Sequence, residues 1–144
     1  MARSLLSLRA MELHEEGSSN RPVVLVVEDD LETQSFMRLL LRRNWRVRVA
    51  ASAEEVRKRL AADPIEIILM DLSLRGEEDG LALTRWLRKQ ASWRSLPIIA
   101  VTAHAFDEDR QNALAAGCDR YLSKPIDRKH LEGVMSELLG ASTP

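Results

Sequence analysis

Apolar positions along the chain follow two rhythms. VVLVV at 23–27, IEIILM at 65–70 and PIIAV at 97–101 are short, nearly continuous apolar runs. Runs of that kind suit strands covered on both sides, as in a parallel sheet between helical layers. RVRVA at 46–50 alternates polar and apolar residues, which predicts a half-exposed strand at a sheet edge. RYLS at 120–123 predicts a short fifth strand. Between the strands the spacing becomes helical. Phe36, Leu39 and Leu40, with Met37 and Leu41, predict a helix over about 31–43. Ala53, Val56 and Leu60 follow Ser52 as N-cap, with Glu55 completing a capping box. Leu83, Trp86 and Leu87 mark a third helix. FDEDRQNALAAG predicts a fourth, with acids in its first turn and Gly117 at its end. Leu131, Val134, Met135 and Leu138 mark a fifth over about 127–139. The order is (βα)5. Right-handed crossovers then give an α/β fold, an open parallel five-stranded sheet with helices on both faces.

Composition adds boundaries. The 144 residues fit one domain with a substantial core. A net charge of −1 gives no general case for nucleic acid or an anionic membrane. The single cysteine, Cys118, excludes an internal disulfide framework and points to the cytoplasm. With no Cys or His base beside it in the sequence, it reads as a structural thiol. No run approaches the ~20 apolar residues of a membrane span. Residues 1–21 read as an N-terminal extension: LLSLRAMEL as a short amphipathic helix or a flexible tail, then EEGSSNRP as linker. Residues 22–140 form the domain and 141–144 a C-terminal tail.

The candidate chemistry sits where the strands stop. In open α/β sheets, ligands bind beyond the carboxyl ends of the strands. The first strand ends at Glu28, Asp29 and Asp30; the third at Asp71; the fourth at Thr102; the fifth at Lys124. Each has an ordinary reading alone: N-cap acids, a turn aspartate, a strand-end threonine, a solvated lysine. Jointly they put hard oxygen ligands, a hydroxyl and an amine on one edge. That set suits Mg²⁺ (or Mn²⁺) and phosphate chemistry.

VVLVVEDD, ILMDLSL, AVTAHA and YLSKPI, in this order and at these intervals, resemble the receiver domain of two-component response regulators over about residues 22–140. The resemblance implies a flavodoxin-like sheet of order 2-1-3-4-5. It implies Asp71 as phosphoacceptor, served by a histidine kinase or a histidine phosphotransfer protein. It implies Asp29 as the main metal acid, Glu28 as its neighbour and the Ser73 backbone carbonyl as a further ligand. Thr102 matches the switch hydroxyl, Lys124 the family lysine, and Tyr121 the aromatic whose rotamer reports activation. Ser73 and His104 fall where dephosphorylation rate is tuned. Lys124–Pro125 matches a cis peptide. The output surface implied is the fourth helix, fifth strand and fifth helix, used to bind a downstream protein, with homodimerisation open and no direct contact to nucleic acid or membrane. The loop LRGEEDG departs from the pattern, with Arg75 at the usual proline position and one extra residue. Its charged residues read as a solvated turn.

A stand-alone regulator, a receiver cut from a hybrid kinase and a phosphorylation-independent interaction module all share these features. A Mg²⁺-dependent phosphohydrolase with an aspartate nucleophile would want a second acid where Ser73 stands. Neither G-x-G-x-x-G nor the phosphate-binding P-loop pattern occurs. Trp86 reads as core, and Trp45 and Trp93 as caps on the core or interface markers. Arg38, Arg42, Arg43, Arg46 and Arg48 read as a solvated basic face, and His14 and His130 as surface residues.

Overall fold

Strand and helix alternate five times in a computed structural model that describes residues 20–76, 78–103 and 106–140. His104 and the expected C-terminal tail lie outside the described residues, as does nearly all of the expected N-terminal extension. The elements are β1 Val23–Val27, α1 Leu31–Leu41, β2 Arg46–Ala50, α2 Ala53–Ala62, β3 Ile67–Asp71, α3 Gly80–Lys89, β4 Ile98–Thr102, α4 Asp107–Ala116, β5 Arg120–Ser123 and α5 Arg128–Leu138. All strand pairs are parallel and the order is β2-β1-β3-β4-β5. The alternating RVRVA strand is therefore an edge, as its pattern predicts, while β1, β3 and β4 are buried throughout. No described helix is long and apolar enough to cross a membrane.

The period-two geometry of the strands divides the core into two layers. Leu25, Val27, Ile68, Met70, Ile98 and Ala100 face α2, α3 and α4. Val24, Val26, Ile67, Leu69, Ile99 and Val101 face Met37 and Leu41 of α1 and Leu131 and Met135 of α5. An apolar central strand is thus required, because neither of its faces meets water.

Several local expectations need correction. In α1, Phe36 and Leu39 are 51% and 63% exposed. Five apolar residues within positions 36–41 cover more than one helix face, so only Met37 and Leu41, one turn apart, reach the core fully. The helix stops at Leu41 because the Asn44 and Trp45 amides turn back onto its carbonyl, at 3.1 and 3.0 Å. The α2 cap is half a capping box. Ser52 Oγ accepts from the Glu55 amide at 3.2 Å, but the Glu55 carboxylate accepts from Ala51 N–H rather than from Ser52. Trp86 is half-buried, not core, with the Arg57 guanidinium 4.3 Å from its ring centre and Trp93 at 5.8 Å. Trp45 does cap the core, buried and donating its indole N–H to Glu132 at 3.0 Å. Gly117 ends α4 at φ 118°, a left-handed conformation that suits glycine. The Cys118 thiol is buried beside Thr84 at 3.9 Å, and burial pushes it up to about 11, as befits a structural thiol.

Candidate functional site

The carboxyl edge of the sheet gathers the predicted residues. Glu28 follows β1 directly, and its amide donates to Ala50 O of β2 at 2.9 Å, so the ladder fixes its backbone. Asp71 is the last residue of β3 and pairs in register with Val101 of β4. Thr102 ends β4 opposite Ser123, and its carbonyl accepts from the Lys124 amide at 2.8 Å. Four parallel strands, β1, β3, β4 and β5, thus deliver their terminal or following residues to a common edge.

Glu28, Asp29 and Asp71 each offer a carboxylate oxygen, and those oxygens lie within 4.8 Å of one another. Glu28 and Asp71 are 4% and 5% exposed. Lys124 Nζ lies 3.0 Å from Glu28 Oε1 and 3.8 Å from Asp71 Oδ2. Burial raises the Glu28 pKa; the Asp30 amide and Lys124 pull it back in part, and the Asp71 charge adds to the rise. Burial acts downward on Lys124, yet the Glu28 hydrogen bond and the Asp71 charge outweigh it and raise its pKa. Three acids close together with one ammonium leave surplus negative charge in a largely dry setting.

Asp30 touches the cluster through its backbone, donating its amide to Glu28 Oε2 at 3.1 Å, but its carboxylate is not one of the three. Its carboxylate caps α1, accepting from Thr33 N–H at 2.9 Å and Thr33 Oγ1 at 2.6 Å, and these bonds lower its pKa. Ser73 is exposed, and its amide donates to Asp71 Oδ1 at 2.8 Å, which aims the aspartate. Tyr121 is half-buried along a cleft of about 340 Å³ that also takes in Phe106, Arg110, Pro125 and His130. That cleft is lined from α4, β5 and the start of α5, and none of the three acids lines it. The Lys124–Pro125 peptide is cis, as the resemblance implies.

Three contributors escape the sequence reading. Gln34 Nε2 donates to Glu28 O at 2.6 Å. Gly80 opens α3 so close to β3 that a Cβ there would fall 2.7 Å from Asp71 O; the Asp-Gly pair before a helix was the available signal. The third is the loop after β3. Arg75 and Asp79 are exposed, as a solvated turn would have them, and Glu77 lies outside the described residues; yet Arg75 N–H donates to Asp29 Oδ2 at 2.9 Å, Glu78 pairs with Arg57, and Asp79 caps α3.

The sequence profile described as the response regulator receiver domain matches residues 24–136. The chain belongs to this family. It is 31% identical to the polar-differentiation response regulator DivK of Brucella ovis, a match covering 81% of this chain and 95% of that one. It is 32% identical to the transcriptional regulatory protein GltR of Pseudomonas aeruginosa over 85% of this chain, which spans only half of that protein's length. The receiver domain of the sensor histidine kinase PA1611 from Pseudomonas aeruginosa PAO1, solved with magnesium coordinated in its active-site cleft, is 35% identical. It superposes with a TM-score of 0.75 over 83% of this chain and 98% of that one. The receiver fold and its 2-1-3-4-5 sheet are thus established here from sequence and structure together.

Proposed function

We propose that Asp71 accepts a phosphoryl group from a histidine kinase or a histidine phosphotransfer protein, and that the resulting acyl phosphate switches the binding of a downstream protein. The observation that carries this reading is the excess of carboxylate over ammonium at the sheet edge, in a member of the receiver family. Hard, close-set oxygen donors fit a divalent cation. Glu28, Asp29, Asp71 and the Ser73 backbone carbonyl would hold Mg²⁺ or Mn²⁺. When bound, the cation offsets the repulsion between a carboxylate and an anionic phosphoryl group.

The chain's own groups supply the remainder. An Asp71 oxygen forms the new bond to phosphorus as the bond to the donor's imidazole nitrogen breaks. Ser73 N–H holds the other Asp71 oxygen, so the nucleophile is aimed before the donor arrives. Lys124 stands within 3.8 Å of Asp71 to balance charge on the arriving oxygens. The Thr102 hydroxyl turns toward the new phosphoryl acceptors, and Tyr121 adjusts in the neighbouring cleft. Ser73 and His104 set how fast water removes the group. The surface that changes is α4, β5 and α5, which binds the downstream protein or a second copy. We assign this activity to residues 22–140, with residues 1–21 as an extension and 141–144 as a tail, and place it in the cytoplasm.

The test is intact-mass spectrometry after incubation with a small acyl phosphate. A gain of one phosphoryl group by wild type with Mg²⁺, absent with chelator and in Asp71→Asn, is expected. Equal labelling of Asp71→Asn, or none of wild type while another receiver is labelled alongside, contradicts the reading.

A further inference from the structure

The loop between β3 and α3 is where this chain departs from the receiver pattern, and it is tied down on both sides. At its start Leu74 is buried in the core layer under α2 and α3. Next, Arg75 N–H reaches Asp29 Oδ2 at 2.9 Å. At its end, both oxygens of Glu78 accept from Arg57 Nη2 of α2, at 2.8 and 3.0 Å. The same guanidinium lies over the Trp86 ring of α3, 4.3 Å from its centre. Trp86 is braced in turn by Trp93 at 5.8 Å.

An ordinary surface ion pair contributes little, because two long side chains must be ordered to make it. Here the ring face orders the guanidinium and the carboxylate completes it, so much of that entropic cost is already met by packing. The loop end is therefore fixed to two helices rather than to one flexible arm. Position 75 gives this a consequence. A proline, usual there in the family, has no N–H to donate. Arginine leaves a main-chain donor, and it falls on the acid that the metal reading singles out.

We propose that Glu78, Arg57 and Trp86 form a latch that holds the β3–α3 loop in register, so that the Arg75 amide orients Asp29 for the divalent cation. The inference rests on the Mg²⁺ reading above. The latch residues are positioning residues: they act through the loop and touch neither Asp71 nor the cation oxygens. Hydrogen bonds to a metal-ligating carboxylate commonly govern affinity in this indirect way.

The sign of one substitution separates the latch from plain electrostatics. Removing the positive charge of Arg57 would, by Coulomb attraction alone, leave a cation bound the same or more tightly. Loss of the latch weakens it.

Isothermal titration calorimetry with Mg²⁺ alone reads this directly, on the full chain without any phosphodonor. Arg57→Ala is expected to bind Mg²⁺ about fivefold more weakly, near the ceiling for a half-exposed pair. Arg75→Ala, which loses a cation but keeps the main-chain N–H, is expected to bind at least as tightly as wild type. Amide hydrogen exchange on the same proteins should show the Arg75 N–H exchanging faster in Arg57→Ala only, a readout that global destabilisation would spread over the whole sheet. Wild-type binding with an unchanged or tighter Arg57→Ala overturns the latch and leaves the metal reading standing. A wild type that takes up no Mg²⁺ overturns both.

Discussion

Two polar clusters sit at opposite edges of the same sheet, and they are built on different principles. At the amino edge, Arg88 donates to the carbonyls of Gly117, Trp93, Arg94 and Leu96 at 2.7–3.1 Å and to Asp119 at 2.9 Å. Asp119 also accepts from the Ile98 amide at 2.8 Å, where β4 begins. One cation meets one anion, and the other Arg88 donors close loop carbonyls. At the carboxyl edge, Glu28, Asp29 and Asp71 share the single ammonium of Lys124. Among the described residues no buried side-chain nitrogen or oxygen lacks a hydrogen-bond partner, so the difference is not one of unmet hydrogen bonds. It is one of charge. A balanced polar cluster fastens the fold; a cluster left with surplus charge is a candidate ligand site.

The largest expected difference is in stability. Arg88→Ala should lower unfolding free energy by about 2–3 kcal/mol, because several loop carbonyls and a carboxylate lose their donor together. Urea titration reads this, and the Mg²⁺ response of the remaining folded protein should be unchanged, since distant sites act additively. Asp71→Asn should do the reverse. Removing one of three crowded carboxylates relieves repulsion and should raise metal-free stability by about 1 kcal/mol. A loss of stability on that substitution would mean that Lys124 already balances the edge.

Smaller effects sharpen the contrast. Ser52→Ala, remote from both clusters, should cost about 1 kcal/mol through the lost α2 cap. The raised Lys124 pKa carries a pH signature. Its stabilising contribution is fully present below the ordinary lysine pKa of about 10.4 and is lost as pH rises through the folded value. Wild type should therefore lose stability in alkali more steeply than Lys124→Met, measured by urea midpoints across that range. Cys118, whose thiol is pushed up to about 11, should resist alkylation at neutral pH until urea opens the fold.

The carboxyl edge was legible in the sequence and the amino edge was not, for a physical reason. Parallel strands announce themselves as apolar runs, and the residue that follows each run must lie at one edge. Asp71, Thr102 and Lys124 could therefore be placed together without coordinates. Order 2-1-3-4-5 followed from the family resemblance and agreed with the alternation of RVRVA. Arg88 lies on the helix α3 pattern, and nothing local says that its side chain reaches the loops before β4 and β5. The same limit hid the pairing of Arg57 with Glu78, which are 21 residues apart, and the outward turn of Phe36 and Leu39. Asp30 shows the opposite case: a carboxylate beside two site acids whose short-range capping role takes precedence.

Metal-linked unfolding tests the central contrast most directly. Urea midpoints of wild type, Arg88→Ala and Asp71→Asn would be compared with and without Mg²⁺. Mg²⁺ should stabilise wild type and Arg88→Ala equally, by about 2.7 kcal/mol at a hundredfold excess over Kd. Asp71→Asn should start higher than wild type and gain much less. A wild-type midpoint that ignores Mg²⁺, or an Asp71→Asn protein less stable than wild type in metal-free buffer, would contradict that contrast.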